Sequence, residues 1–178
     1  METCREVTLR VLVVISLLLL SFPSLAQDKL CGPATAKDGD DLVIADVDIR
    51  LHGIDAFEAN QTCIRTDGKT WACGEAARRK LEELVAGKEV CCRLAQKTKT
   101  RGRPVMRCMV GEIDLGKAMV AAGLAFDCPR FSRERYKADE AAAKAEKRGA
   151  WEGRFKPPWA QKGLSYCCKA EYPREFCP

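Results

Sequence analysis

The sequence predicts a mainly β fold of the α+β class, a small five-stranded barrel with about three helices packed on it. The 178 residues suffice for one domain with a short appendage, and 47% of them are apolar, which is ordinary for a globular protein. Several short strand patterns come first, one helix follows, and then two strands and two helices. Short antiparallel strands with one inserted helix suit a barrel of the OB type, which often carries nucleic acid on its open face.

The strands are predicted from short apolar runs that are bounded by turn residues. A lead-in over residues 27–37 ends before Asp38-Gly39-Asp40, which is a turn by composition. The following hairpin is expected to reverse at Asp46-Val47-Asp48, and the polar segment from Ala59 to Ala72 is expected to be a loop. The other predicted strands are Leu42 to Ala45, Ile49 to Ile54, Glu89 to Leu94 and Pro104 to Val110.

Three segments predict helices. Gly74 to Ala86 places apolar and charged residues on opposite faces and is closed by Gly87. Asp114 is a helix cap for the apolar segment that ends at Gly123. A third helix, rich in Ala, Glu, Lys and Arg, is expected from about Ser132 to Arg148.

Residues 1–26 predict a secretory signal peptide. The apolar run from Leu9 to Leu20 is too short to span a bilayer, and Ser24-Leu25-Ala26 places small residues at a cleavage site. Cleavage after Ala26 removes two basic and two acidic residues, so the mature chain keeps the net charge of +5. We expect a secreted or periplasmic protein without a membrane anchor after cleavage; an uncleaved anchor is the alternative.

The cysteines agree with export. Of the eleven cysteines, Cys4 lies in the signal peptide, which leaves an even number of ten. The Cys91-Cys92 and Cys167-Cys168 doublets lack the two-residue spacing of zinc ligands. Disulfides formed in an oxidising compartment explain these cysteines better.

Two disulfides are predicted from position. Cys63 and Cys73 bracket the polar loop, and Cys92 can face Cys108 across the predicted hairpin. The pairing of the other six cysteines stays open. We expect a barrel domain at residues 27–155 and a cysteine-rich tail at residues 156–178 that disulfides hold to it.

Charged side chains gather in three short segments. Arg50, Asp55 and Glu58 lie within nine residues, RLHGIDAFE, at the end of a predicted strand. Residues 38–41, DGDD, form a carboxylate-rich turn one hairpin away, and Arg101-Gly102-Arg103 places two guanidinium groups around a glycine. Carboxylates for a hard cation, a further carboxylate for a proton and arginines for a phosphate are the parts of a metal-assisted phosphodiester hydrolase.

The order and spacing of these motifs resemble the staphylococcal nuclease (thermonuclease-like) family, over about residues 34 to 153. The chain looks like a secreted, cysteine-rich alphaproteobacterial branch of that family. The resemblance implies the same five-stranded barrel and a calcium-dependent nuclease. The matching segments are Asp38-Gly39-Asp40, Arg50 to Glu58, Gly102-Arg103, Asp114-Leu115-Gly116, Gly123-Leu124-Ala125 and Glu140 to Trp151.

The resemblance also implies a role for individual residues. Asp40, Asp55 and the main-chain carbonyl of Ala56 would hold Ca²⁺, although the family usually has Thr at the position of Ala56. Arg50, Glu58 and Arg103 would be the catalytic set. In that set Glu58 accepts a proton from the attacking water, or orients it, and the two arginines neutralise charge on the phosphate.

The nucleotide-binding loop departs from the family pattern. Lys99-Thr100-Arg101 replaces a run that contains an aspartate and a tyrosine, and Lys99 and Arg101 are expected to bind a terminal phosphate of the substrate. Phe57 stands where the family has Pro, which sets the turn that carries Glu58 less rigidly. Phe126, Phe131 and Tyr136 are candidate nucleotide contacts, but the packing role is favoured for all three.

His52 is the only histidine in the chain. We expect it to be a wall residue of its strand rather than a catalyst. A single histidine argues against Cys–His and Ser–His hydrolases and against metal nucleases that use several histidines.

Two functions from different classes remain. The first is a secreted, calcium-dependent nuclease that acts as a monomer and hydrolyses single-stranded or frayed DNA and RNA with little sequence preference. The second is a non-catalytic envelope protein that kept the barrel and is accessory to exopolysaccharide biosynthesis of the succinoglycan type, because family-like proteins occur beside such genes in rhizobia. The charged residues favour the first, and the altered loop favours the second.

Overall fold

The computed structural model describes residues 29–97, 99–170, 172 and 174–177. The predicted signal peptide and its cleavage site lie outside the described residues. Among the helices that are described, none has both the length and the apolar character needed to cross a bilayer.

Five strands close into a barrel of the OB type. The described residues form the strands β1 (Lys29–Ala36), β2 (Asp41–Ile44), β3 (Val47–Leu51), β4 (Ile54–Ala56), β5 (Cys63–Ile64), β6 (Thr70–Trp71), β7 (Glu89–Leu94), β8 (Val105–Val110), β9 (Ile113–Asp114) and β10 (Ala125–Asp127). Antiparallel pairing gives the order β3-β2-β1-β7-β8, and a parallel pairing of β3 with β8 closes the ring. The predicted α+β fold with a five-stranded barrel is therefore confirmed.

Helices pack against the strands of the barrel. They are α1 (Cys73–Val85), α2 (Leu115–Ala121), α3 (Pro129–Ser132), α4 (Lys137–Ala145) and α5 (Pro158–Gln161), with 3₁₀ turns at Gly149–Glu152 and Arg174–Phe176. Ala77, Leu81 and Val85 of α1 are fully buried. The predicted cap of α2 is present, because the Asp114 side chain accepts a hydrogen bond from the Lys117 N–H.

Two predicted boundaries are wrong for the same physical reason. The third helix does not begin at Ser132, because Arg133 and Glu134 adopt left-handed φ angles of 56° and 60° and separate α3 from α4. The β2–β3 reversal lies at Ala45 and Asp46, which have φ angles of 47° and 63°, so the turn comes one residue earlier than expected. Left-handed backbone is unfavourable for these residue types, and apolar periodicity does not reveal it.

The segment predicted as a loop contains a small hairpin. Strands β5 and β6 pair with Cys63 opposite Trp71, and a disulfide joins Cys63 to Cys73. A second disulfide joins Cys92 to Cys108 across β7 and β8. Both disulfides agree with the pairs expected from position.

The Cys91-Cys92 doublet is explained by the pleat of β7. Neighbouring side chains of a strand point to opposite faces. Cys91 pairs with Cys31 of β1, and Cys92 pairs with Cys108 of β8. One doublet therefore ties β7 to the strands on both of its edges.

The C-terminal tail packs onto the barrel domain. Disulfides join Cys128 to Cys167 and Cys168 to Cys177. Trp159 is fully buried, its indole N–H donates to the Phe176 carbonyl at 2.7 Å, and its ring lies 5.3 Å from that of Phe126. The tail thus shares the hydrophobic core of the domain.

We expect Gly53→Ala to lower the free energy of unfolding by about 2–4 kcal/mol. Gly53 has a φ of +81°, and a Cβ there would lie 2.9 Å from the Cβ of Ser132. The substitution therefore adds left-handed strain and a clash between the β3–β4 turn and α3. Urea unfolding of the oxidised protein, with its disulfides intact, measures the change.

Gly68→Ala is the matched control. Gly68 has nearly the same φ, +82°, but a Cβ there meets nothing within 4 Å. This variant carries only the left-handed strain, about 1 kcal/mol. Equal losses of stability for the two variants would contradict the tight contact between Gly53 and Ser132.

Candidate active site

The site begins at the turn before β2. The Asp38 carboxylate accepts hydrogen bonds from the N–H groups of Asp40 at 3.0 Å and Asp41 at 2.8 Å. This local bonding turns the next two aspartates toward the barrel, where each is only 4% exposed. One carboxylate oxygen from each of the three aspartates lies within 4.8 Å of the others.

Arg50, near the end of β3, joins these aspartates to β4. Its guanidinium makes two hydrogen bonds to Asp40, at 3.0 and 2.8 Å, and one to Asp55 at 2.8 Å. Asp40 also accepts the backbone N–H of Ala56 at 2.9 Å. The residues expected from the resemblance to form a metal site are thus in one cluster, with Arg50 between the two carboxylates.

Arg103 reaches the same cluster from the β7–β8 hairpin. Its guanidinium bonds to Asp41, which also lies 3.9 Å from Arg50. The parallel pairing of β3 with β8 explains this approach, because the Arg50 N–H bonds to the Pro104 carbonyl at 3.0 Å. Sequence reasoning placed Asp41 in the acidic turn but assigned it no role.

The C-terminal tail completes the site. The Lys162 ammonium contacts Glu58 at 2.6 Å and Asp55 at 3.4 Å. The Tyr166 hydroxyl lies 3.3 and 3.2 Å from the two oxygens of Asp55. An unbroken chain of contacts therefore runs from Glu58 through Lys162, Asp55 and Arg50 to the aspartates of the turn.

Sequence reasoning missed Lys162 and Tyr166. Their position follows from the tail, which the Cys128–Cys167 disulfide holds beside β4. Six cysteines without assigned partners allow 15 pairings, so no signal in the sequence located the tail. The one available hint was that Tyr166 directly precedes a cysteine doublet.

Burial dominates the electrostatics of the two central carboxylates. Burial raises the pKa of Asp40 to about 7, although Arg50 acts in the opposite direction. Burial also raises the pKa of Asp55, against the lowering effects of Lys162 and Arg50. Additional positive charge would therefore stabilise the ionised form of both carboxylates.

For the two central cations, the neighbouring carboxylates outweigh burial. Burial alone would lower the pKa of Lys162, but the charge of Asp55 and the hydrogen bond to Glu58 raise it above its usual value. Burial likewise opposes the charge of Arg50, and Asp40 and Asp55 outweigh it, so the pKa of Arg50 is raised as well. Both side chains stay charged at neutral pH.

A cavity of about 260 Å³ opens beside this cluster. Four of its lining side chains are cationic, and none is a carboxylate. Its lining residues are Arg50, Leu51, Gly53, Ile54, Gln96, Thr100, Arg101, Arg103, Val105, Cys128, Phe131, Lys162, Leu164 and Tyr166. A phosphate group in this cavity would therefore meet four cationic side chains, three of which also contact carboxylates of the cluster.

The predicted substrate contacts divide into two groups. Arg101 lines the cavity, whereas Lys99 does not. Phe131 lines it too and is 40% exposed, while Phe126 and Tyr136 are 1% and 2% exposed and belong to the core. The packing role expected for the aromatic residues therefore describes two of the three.

The donor set suits a hard cation. Asp40, Asp41, Asp55 and Glu58 face three basic side chains in this network, so one negative charge is in excess when all four are ionised. Carboxylate oxygens are the ligands that Ca²⁺ prefers. Arg50 and Lys162, however, already contact oxygens that a metal ion would use.

Comparison with known proteins identifies the family of this chain. The chain is 27% identical over 140 residues to the "Succinoglycan biosynthesis protein ExoI" of Rhizobium meliloti (strain 1021). The aligned segment covers 78% of this chain and 73% of that protein. The family model described as "Staphylococcal nuclease homologue" matches residues 48–153, which include Arg50, Asp55, Glu58 and Arg103. With this match over more than half of its length, the chain belongs to the staphylococcal nuclease homologue family.

Proposed function

We propose that this protein is a secreted, calcium-dependent phosphodiesterase that cleaves DNA and RNA internally with little sequence preference. The observation that carries the proposal is the convergence of Arg50, Arg103 and Glu58 with two buried aspartates beside a cationic cavity. These side chains come from segments that are far apart in the chain. A purely structural ion network would not need an adjoining cavity lined by four cations.

The reaction follows from where the charges lie. A phosphodiester in the cavity places its non-bridging oxygens near Arg50 and Arg103, which neutralise the charge that grows as phosphorus becomes five-coordinate. Glu58 accepts a proton from the attacking water, the water oxygen forms a bond to phosphorus, and the bond to the leaving oxygen breaks. The leaving oxygen takes a proton from solvent.

The resemblance to the family supplies the metal ligands. Asp40, Asp55 and the Ala56 carbonyl would hold Ca²⁺. When bound, Ca²⁺ would polarise the phosphate and help to position the water. Arg50 would then turn from the carboxylates toward the substrate, since the metal ion would supply the charge that the carboxylates require.

Low sequence preference follows from the chemistry of the cavity. Its polar groups are mainly guanidinium and ammonium, which bind phosphate and read no base edges. Phe131 and Tyr166 offer ring faces that any base can stack on. A single strand or a frayed end is favoured because its bases are free to stack.

Export is supported by the five disulfides of the described residues, which suit an oxidising compartment. The signal peptide proposed from residues 1–26 supplies the route. The C-terminal tail would then be locked onto the site only after oxidation, because the Cys128–Cys167 disulfide holds it there.

A second candidate function is a non-catalytic role in the cell envelope, accessory to exopolysaccharide biosynthesis. Its support is the similarity to the succinoglycan biosynthesis protein and the contacts of Lys162. Lys162 and Tyr166 satisfy Asp55 and Glu58 without any ligand. Such a network can serve stability alone. The following measurement separates the two functions.

We expect the oxidised mature protein to cleave single-stranded DNA in calcium and to stop when a chelator is added. Glu58→Gln should lower kcat about 10²- to 10⁴-fold, because the amide cannot accept the proton of the attacking water. A fluorescently labelled oligonucleotide analysed by electrophoresis measures the rate.

Glu112→Gln is the control for that experiment. It makes the same chemical change at an exposed glutamate in the β8–β9 turn and should leave kcat unchanged. Absence of cleavage by the well-folded wild-type protein in calcium would refute the hydrolase and favour the envelope role.

We expect Lys162→Met to tighten calcium binding about tenfold. The ammonium occupies an oxygen of Asp55, and breaking a partly buried, charged hydrogen bond costs about 1.5 kcal/mol, which corresponds to about tenfold in affinity. Calorimetric titration of the metal-free protein with calcium measures the constant without reference to activity.

Lys156→Met is the matched control, since Lys156 is an exposed lysine at the start of the same tail. Its calcium affinity should equal that of the wild type. Unchanged or weaker binding by Lys162→Met would show that Lys162 and calcium do not compete.

A further inference from the structure

A second cavity, of about 680 Å³, lies next to the active-site cavity. The two share Gln96 and Phe131 as lining residues, so they are neighbours on one surface. We call the second cavity the basic pocket. Its lining residues are His52, Ala95, Gln96, Arg107, Arg130, Phe131, Ser132, Arg133 and Arg135.

Four of these nine residues are arginines and none is acidic. Within the part of the chain that the structure describes, no ion pair of 4.0 Å or less joins any of the four arginines to a carboxylate. Arg107 also lies directly opposite Arg93 in the β7–β8 register. Like charges in that position are destabilising, so an anion near Arg107 would relieve a repulsion.

Buried polar atoms of the basic pocket lack partners. The Ser132 hydroxyl, the His52 Nδ1 and the Arg107 Nε are each buried without a hydrogen bond. Ser132 as a residue is only 6% exposed. A buried polar group without a partner costs about 1–3 kcal/mol, and such groups in native proteins call for an explanation. All three atoms belong to residues that line the basic pocket, where a small side-chain rotation would let them bond to a ligand that accepts hydrogen bonds.

The backbone supports this interpretation. Arg133 and Glu134 hold consecutive left-handed conformations between α3 and α4. This turn brings Arg133 and Arg135 to the pocket, while Glu134 between them pairs with Lys137 at 3.1 Å. Unfavourable backbone of this kind persists where surrounding structure or function requires it.

We propose that the basic pocket binds a phosphate group of the same polynucleotide strand whose scissile phosphate lies in the active-site cavity. Guanidinium groups match the oxygens of a phosphate with paired hydrogen bonds, and a hydroxyl adds a further donor. The choice of a polynucleotide rests on the proposed function. Phosphate binding by the pocket does not, and it is measured without any cleavage.

His52 provides a built-in probe because it is the only histidine of the chain. Burial, Arg107 and Arg135 hold the pKa of His52 below its usual value, while Asp114 acts in the opposite direction. An anion in the pocket favours the charged imidazolium. Titration with inorganic phosphate, followed by NMR of the imidazole in the presence of a chelator, should therefore shift the His52 signal and raise its pKa.

The double variant Arg133→Gln/Arg135→Gln tests the location. Both side chains are exposed, so the fold should be retained. Without phosphate, the pKa of His52 should rise because Arg135 no longer repels the proton; on addition of phosphate, the further change should be absent. Arg79→Gln/Lys80→Gln removes two charges from α1, outside the pocket, and should respond as the wild type does.

A single-stranded DNA dodecamer tests the substrate class under the same conditions. The double variant should bind it more weakly, and the slope of log K against log salt should fall by about 0.7 for each phosphate that the variant no longer neutralises. Polygalacturonate, a polyanion that carries carboxylates in place of phosphates, should leave the His52 signal in place.

Three results would overturn the proposal. They are no His52 response to phosphate or DNA, a response that persists in the double variant, and a response to polygalacturonate without one to phosphate. A His52 response in a protein that cleaves no DNA would retain the basic pocket and reject the hydrolase, so the two failures are distinguishable.

Discussion

Arg50 is the cation on which the arrangement of the site depends. Its side chain is 18% exposed and bonds to Asp40 and Asp55, while its backbone N–H bonds to Pro104. The acidic turn, β4 and the β7–β8 hairpin are thereby held around one side chain of β3. Removing a partner from such a buried pair leaves an uncompensated charge, which costs about 3–5 kcal/mol. The network therefore both holds these segments together and balances the charge of the buried carboxylates.

The C-terminal tail changes what the barrel can do. The match to the family model ends at residue 153, before Lys162 and Tyr166. The Cys128–Cys167 disulfide nonetheless brings both side chains to Asp55. An ammonium beside a carboxylate that would bind a metal ion either competes with that ion or replaces its charge. The tail thus adds to Asp55 and Glu58 contacts that the barrel alone lacks.

The distribution of charge gives the two cavities a common character. The modest net charge of +5 conceals a local concentration of arginines around Phe131. Acidic side chains line neither cavity. A surface of this kind binds polyanions through phosphate contacts, and its affinity falls with salt. The polyanion proposed as the ligand of the active-site cavity therefore also suits the adjacent surface.

The local pattern of residues determined the main strands of the barrel, the helix α1, the cap at Asp114 and the charged motif from Arg50 to Glu58. Each depends on neighbours within a few residues, so periodicity and turn chemistry reveal it. The left-handed pair Arg133-Glu134, the roles of Asp41 and Lys162, and the basic pocket were decided only by tertiary structure. For Asp41, Lys162 and the basic pocket the physical reason is the same: strand closure and the Cys128–Cys167 disulfide create contacts between residues far apart in the chain, and no local rule records them.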